Sequence, residues 1–527
     1  MKEELRTDHF RPSLPTASSI SVSGLALICL LGGSPPFASA ETIDVIDPAQ
    51  TTDWAPGAIN HAQRMRRFKD TGPGSQATPP TVPKFEVDSE PSGRVATFTP
   101  GVATITANNP FFQNLGTNGR TCFTCHQPQT GWTISASSAR ARFEASAGQD
   151  PLFRLVDGAT CPSDDVSTLA AKRQAYTLLI NKGLIRIGIQ MPTPTPESPL
   201  EFEVDLTNVK DPYGCTTNPT TGLTSPTTGI VSMYRRPLPS TNLPFLSTIM
   251  FDGREPNLSS QAVNATLIHA QADPTKPPTA AQQAEIVAFE TGLFTAQTFD
   301  DNADVLNARG ATGGPVALSL QKFFIGINDP LGLNPTGQPF DPNIFDLYKP
   351  WLGLQGVGEA AYRLSVARGG EVFNNTSINI TGVTGLNDVL KLTSIPGFCG
   401  TCHDSPNVGD HSVKAPLNIG IANAGANSPP ALDISDLPVF TLHCTQGPLA
   451  GQYFVVTDPG RAMITGKCAD IGKVKGPILR GLAARAPYFH NGSAATLLDV
   501  VNFYDKRFNI GFTDQQKTDL VNFLNTL

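Results

Sequence analysis

The sequence has no dense block of lysine and arginine. Phosphate backbones are held by such blocks, so nucleic acid is excluded as a partner class. Charged residues are only 16% of the chain and the net charge is −7, while 47 glycines and 46 prolines punctuate it. That balance fits a loop-rich globular protein and not a self-repelling disordered one. No apolar run is long enough to span a bilayer comfortably; the best, Ile20 to Leu31, is short. No repeat occurs beyond two copies of one five-residue motif. Methionine is scarce, and Met463 is the only one after Cys402.

What is present begins with an export signal. Lys2, Arg6 and Arg11 precede the apolar stretch, and Ala38-Ser39-Ala40 suits cleavage before Glu41. Residues 1–40 are read as the signal, with no membrane span once it is removed. The following residues to about 95 are read as an extended N-terminal arm carrying His61.

The repeated motif is Cys122-Phe123-Thr124-Cys125-His126 and Cys399-Gly400-Thr401-Cys402-His403. C-x-x-C-H is the attachment signature of c-type haem. Two thiols three positions apart can each form a thioether to one porphyrin, and the histidine that follows supplies an imidazole to the iron. A zinc or redox C-x-x-C is the alternative; two copies behind an export signal favour haem. The chain is therefore expected to carry two covalently bound haem c groups in the periplasm. Cys161, Cys215, Cys444 and Cys468 remain after Cys29 is lost with the signal. In an oxidising compartment an even number points to disulfides. Three connectivities exist, and locality favours Cys161–Cys215 with Cys444–Cys468.

The expected fold is mainly α: two cytochrome c-type haem domains with long loops and a small β-containing insertion. The N-terminal haem domain covers 96–350 with an insertion at about 150–226; the C-terminal one covers 351–527 with an insertion at about 405–470. Helical spacing appears near Ala170–Leu179, after Thr279 with Gln282 completing a capping box, over Glu359–Phe373 and over Leu497–Tyr504. A last helix, capped by Thr513 and Gln516, buries Leu520, Phe523, Leu524 and Leu527. Leu200–Leu206 alternates like a strand, residues 300–355 read mainly as loop, and Trp132 reads as haem packing.

Three segments in combination carry a family likeness. They are the two C-x-x-C-H motifs, Phe251-Asp252-Gly253-Arg254 leading to Leu258 and Gln261-Ala262, and Lys475 to Arg480 followed by Ala486-Pro487-Tyr488-Phe489-His490-Asn491-Gly492-Ser493. Over roughly 100–135, 232–300 and 355–527 the chain resembles the bacterial di-haem cytochrome c peroxidase and MauG superfamily. Its insertions resemble the larger members, among which the rubber oxygenases are another branch. The resemblance implies a peroxidatic N-terminal haem held by His126 and an electron-transfer C-terminal haem held by His403. It places a distal ligand of the second haem at Tyr504; an ordinary half-buried tyrosine is the other reading. Gln261 matches the distal glutamine. The family's distal glutamate is missing, and the neighbourhood holds His269 and Gln271 instead. His269 is read as the acid–base group, with a sixth iron ligand and a core histidine as alternatives.

Two departures stand out. Phe251 occupies the position of a tryptophan that bridges the haems. Arg236 occupies that of an asparagine serving a calcium ion between the domains, so calcium is left unsupported. The expected activity is peroxidase-like, activating hydrogen peroxide with electrons from a small periplasmic cytochrome c or cupredoxin, or from a protein or organic substrate. The rivals are a di-haem oxygenase acting on an organic substrate and a non-catalytic electron-transfer cytochrome.

Overall fold

The computed structural model describes residues 77–215 and 229–527, all within one unit, Met65–Leu527. The signal, Cys29, His61 and most of the arm lie outside the described residues. Among the described residues there are eleven α-helices and thirteen short strands. None of these helices is long and apolar enough to cross a membrane.

Six helices have eleven or more residues: α1 (Ala136–Ser146), α2 (Leu258–His269), α3 (Ala280–Thr291), α4 (Glu359–Asn375), α5 (Leu497–Phe508) and α6 (Asp514–Asn525). Their starts are written locally. Asn257 accepts the Ser260 N–H ahead of α2 at 2.9 Å. Capping boxes open α3 (Thr279 with Gln282), α5 (Thr496 with Asp499) and α6 (Thr513 with Gln516). Each such cap stabilises by roughly 1 kcal/mol. α6 crosses α4 at Gly369, where a Cβ would lie 2.0 Å from the Asp519 carbonyl. Only glycine permits that approach, and Phe523 then packs on Phe373 and Phe345. The expected patch at 170–179 is two short helices, Leu169–Ala175 and Thr177–Lys182.

Around the first motif, Phe111, Phe112, Phe123, Trp132 and Phe289 form a buried aromatic cluster. α3 contributes Ile286 and Phe289 to it from its apolar face. The Trp132 Nε1–H donates to Thr97 Oγ1 at 2.8 Å. Thr97 belongs to an antiparallel four-stranded sheet in the order Phe85–Glu90, Gly93–Phe98, Phe294–Asp300, Asp304–Val305. The reading of residues up to 95 as an extended arm is therefore corrected for 85–95. Phe85–Glu90 pairs with Gly93–Phe98, which in turn pairs with a strand about two hundred positions later, a partnership that local periodicity does not reveal. β-structure is likewise not confined to one small insertion.

The two expected insertions fold together. Phe202–Val204 pairs with Phe440–Cys444, which pairs with Tyr453–Val456. One apolar core, including Phe202, Met233, Phe440, Leu442 and Met463, spans both stretches. It contains both disulfides, Cys161–Cys215 and Cys444–Cys468, as locality suggested.

Candidate functional site

Both C-x-x-C-H motifs adopt one local form. Cys122–Thr124 and Cys399–Thr401 are single 3₁₀ turns. Thr124 Oγ1 accepts the Thr121 N–H and Thr401 Oγ1 accepts the Phe398 N–H, each at 3.0 Å. The histidine N–H then returns to the first cysteine's carbonyl, at 3.0 Å for His126 and 3.1 Å for His403. One tight turn so presents two thiols and an imidazole. The four thiols form no disulfide. Burial pushes Cys399 and Cys402 up to about 12 and raises Cys122 and Cys125 as well. Redox and metal-binding C-x-x-C motifs work through thiolates; these surroundings disfavour thiolate and suit a thioether.

The imidazoles are set alike. His126 Nδ1 lies 2.8 Å from the Trp132 carbonyl, and His403 Nδ1 lies 2.7 Å from that of Gly409. A carbonyl only accepts, so Nδ1 carries the proton and Nε2 keeps its lone pair. Burial is the main cause that pushes His126 down to about 4, and it lowers His403 too. Both rings are the neutral form that binds iron.

Cys122, Cys125 and His126 border a cavity with ≈1690 Å³ of empty space, its open mouth included. Gln261 and His269 line the same cavity. They stand eight residues apart on α2, so just over two turns bring them to one side. The amide of Gln261 has no hydrogen-bond partner among the described residues. The end of α2 docks on the approach to the first motif. Gly116 makes this possible, because a Cβ there would lie 1.9 Å from the Ala270 carbonyl. Thr117 N–H donates to Ala270 O at 3.0 Å, and Asn118 Nδ2–H donates to His269 O at 2.8 Å.

His269 Nδ1 lies 2.6 Å from Asp157 Oδ2. The other oxygen of Asp157 accepts from Arg120 Nη1 at 2.6 Å. Arg120 is held in turn by the carbonyls of Pro151 and Leu152, at 2.8 and 2.7 Å. Burial alone would raise the Asp157 carboxyl, but Arg120 and His269 outweigh it and hold the group below its usual range. Asp157 thus supplies a carboxylate that the sequence around His269 lacks. No local signal could have found it, since 112 positions separate the two residues.

At the second motif, Tyr504 of α5 lies close to Cys402 and Cys399, and burial is the main cause that raises its phenol. Its hydroxyl has no hydrogen-bond partner among the described residues. Met463, the only methionine after Cys402, lies instead in the core shared by the two insertions. Phe373 contacts the His403 ring at 6.2 Å.

Phe251 lines the first cavity and meets the His490 ring edge-on at 5.9 Å. Beneath them Arg235 bonds both oxygens of Asp458, at 2.7 and 2.9 Å, and reaches Asp252 at 2.6 Å. Asp458 comes from the second expected insertion, so that stretch buttresses the ground between the motifs. Arg236 and Arg485 also line the cavity. Neither pairs with a carboxylate among the described residues, and Arg236 Nε is buried without a partner. Buried cations need countercharge, and a haem, with its anionic propionates, answers that need. The donor set, the cavity and the cations therefore fit the cofactor.

Known proteins agree. The RoxA-like, cytochrome c-like family model matches residues 474–510. Cytochrome-c peroxidase IdrP2 of Denitromonas iodatirespirans is 32% identical over 148 residues, 27% of this chain and 38% of that protein. IdrP1 of the same organism is 40% identical over 81 residues, 13% of this chain and 22% of the relative. Cytochrome c551 peroxidase of Nitrosomonas europaea is 30% identical over 130 residues, 24% of this chain and 30% of that one. The chain thus spans well under half the length of these relatives. A crystal structure of a MauG-like protein associated with microbial copper homeostasis aligns with 56% of this chain and 75% of its own, at 18% identity and a TM-score of 0.30. That likeness is too slight to carry weight. The cytochrome c-like match and the peroxidase relatives imply covalently bound haem c. With both motifs in place, the chain is similar over these segments to members of the bacterial di-haem cytochrome c peroxidase/MauG superfamily.

Proposed function

We propose that the protein is a periplasmic di-haem c oxidoreductase that activates hydrogen peroxide in the cavity bordered by His126, Gln261 and His269. The carrying observation is that one cavity holds the attachment motif together with an amide lacking a protein partner and an imidazole braced by a carboxylate. When bound, the haem iron supplies the centre at which peroxide is reduced and redox equivalents are held. The chain's residues do the rest. His126 offers Nε2 because Trp132 O holds the proton on Nδ1. Gln261 orients the oxidant by hydrogen bonding. Asp157 keeps the His269 proton on Nδ1, so Nε2 can take a proton from the entering peroxide and return it to the leaving oxygen. Arg120 keeps Asp157 ionised.

Cys399, Cys402 and His403 would hold the second haem, and Tyr504 would offer it a further oxygen donor; bound there, the group would supply an electron relay from a small cytochrome or cupredoxin. Phe251 is a poor hopping station, so transfer between the centres is slower than through tryptophan.

The test is a resting-state spectrum of the iron spin states, repeated after stoichiometric peroxide. A high-spin component that peroxide converts promptly is expected. Two fully ligated irons indifferent to peroxide would leave an electron-transfer cytochrome.

One observation favours a second reading, an oxygenase acting on an organic substrate. The insertion supplies Leu152, Ile185 and Ile187 to the cavity wall, and these apolar side chains suit an apolar guest. A stable dioxygen complex of the reduced protein would select this reading over peroxidase chemistry.

A further inference from the structure

Arg236 is a buried side chain whose guanidinium sits among backbone oxygens. Nη1 donates to Pro487 O, and Nη2 donates to Ile134 O and, at 2.9 Å, to Arg485 O. Its own N–H donates to His490 O at 2.6 Å. Ile134 follows the first haem motif, whereas Arg485, Pro487 and His490 follow the second. The side chain therefore pins one stretch to the other at a seam beside the cavity. No carboxylate pairs with it among the described residues. Burial first, and then the neighbouring Arg485, push the guanidinium down to about 9, so it remains a cation at neutral pH.

Three converging carbonyls are hard oxygen donors of the kind that hold calcium, which takes six to eight oxygens. Here, however, each is already engaged by a guanidinium N–H, and a second cation, Arg485, lies alongside. A calcium ion does not fit while Arg236 is in place. We propose that Arg236 is a resident cation that substitutes for a divalent metal at this seam, and that removing it turns the three carbonyls into a divalent-cation site. The guanidinium supplies the charge the carbonyl dipoles require, and its planar fork fixes their directions. The link between the two stretches is then permanent and independent of ambient metal. This inference stands apart from the proposed peroxide chemistry.

The experiment uses the full haem-loaded protein. Wild type, R236N and R236K are melted in chelator and in millimolar calcium, and terbium luminescence reports occupancy. Wild type should melt identically in both and bind no terbium. R236N, whose amide oxygen adds a fourth donor, should melt about 5 °C or more below wild type in chelator, recover with calcium and bind one terbium per chain. R236K retains a cation and should ignore calcium. Calcium retained or required by wild type would overturn the proposal, as would a soluble R236N that neither recovers nor binds terbium. If R236N does not fold in chelator, its yield with and without calcium becomes the readout, and yield unaffected by calcium counts against the proposal. A calcium-responsive R236K does so too.

Discussion

Asp157 stands between Arg120 and His269, 2.6 Å from each. The carboxylate is shared, so the imidazole is oriented by a group that is itself locked to the segment carrying the first haem motif. Arg120 lies two residues before Cys122, and its Nη1 also contacts the His269 carbonyl at 3.2 Å. The attachment motif and the imidazole proposed for acid–base work are thus tied into one hydrogen-bonded assembly.

If His269 moves the proton, His269→Ala should slow the reaction with peroxide by about 10²–10⁴-fold. Asp157→Asn keeps the shape but loses the acceptor that fixes the tautomer, and should cost about 10–100-fold. Stopped-flow absorbance after peroxide mixing measures both. An unaltered rate in the alanine variant removes the acid–base assignment. A new low-spin signal lost from wild type on the same substitution would identify His269 as an iron ligand instead.

Tyr504→Phe should change the spectrum of the second haem and leave the first unaltered. The half-buried phenol lies near Cys399 and Cys402, and its hydroxyl has no hydrogen-bond partner among the described residues, so it is free to serve as the iron ligand proposed above. Phenylalanine keeps the packing against Phe489, Phe503 and Phe508 and removes only the oxygen. An identical spectrum would exclude phenolate ligation.

Acid stability should follow the buried carboxylates. Asp157, Asp252 and Asp458 are each held below the usual range by arginines that outweigh burial. A depressed folded pKa means stability that is complete above the unfolded value of about 3.9 and lost as pH falls through the folded one. The share of stability these three carboxylates supply should therefore hold steady down to about pH 4.5 and drop below it. Arg235→Met leaves Asp458 buried without its arginine, with His490 at 3.4 Å and the Gly460 N–H at 2.7 Å beside it. Burial then dominates, the folded pKa rises above the unfolded one, and the sign reverses: the Asp458 contribution improves on acidification and is lost as pH rises. The variant should be destabilised by about 3–5 kcal/mol at neutral pH. Parallel melting-against-pH curves for wild type and variant would refute this account.

The attachment sites were readable because their chemistry is local: two thiols and an imidazole within five residues need no tertiary knowledge. Thr279, Thr513 and their glutamines announced helix starts for the same reason. Gln261 and His269 could be paired because eight residues of helix connect them. Asp157 could not, nor could the pairing of Gly93–Phe98 with Phe294–Asp300, since long-range partners leave no periodic trace in either segment. Arg236 was legible as a departure from the family but not as a cation inside three carbonyls, because backbone oxygens have no sequence signature.

The pairing of the two insertions yields the last expectation. Residues 202–204 hold their edge of the three-stranded sheet through Phe440–Cys444, and Cys444 is tied to Cys468 across 24 positions. The cross-link restricts the unfolded chain by roughly 3 kcal/mol. Replacing both cysteines by alanine should release that amount within the shared core and not at α4 and α6, whose packing lies in a separate cluster. Amide hydrogen exchange should accelerate at Glu203 and Val204 and at 440–444, while α4 and α6 keep their protection and both haem spectra stay unchanged. Uniform acceleration through the chain would mean that the insertions do not form a subdomain with its own stability. The same core reaches the cavity wall through Ile187. Loosening it should therefore widen access for bulky ligands such as imidazoles at the first haem more than for peroxide itself, which ligand-binding rates measured side by side would reveal.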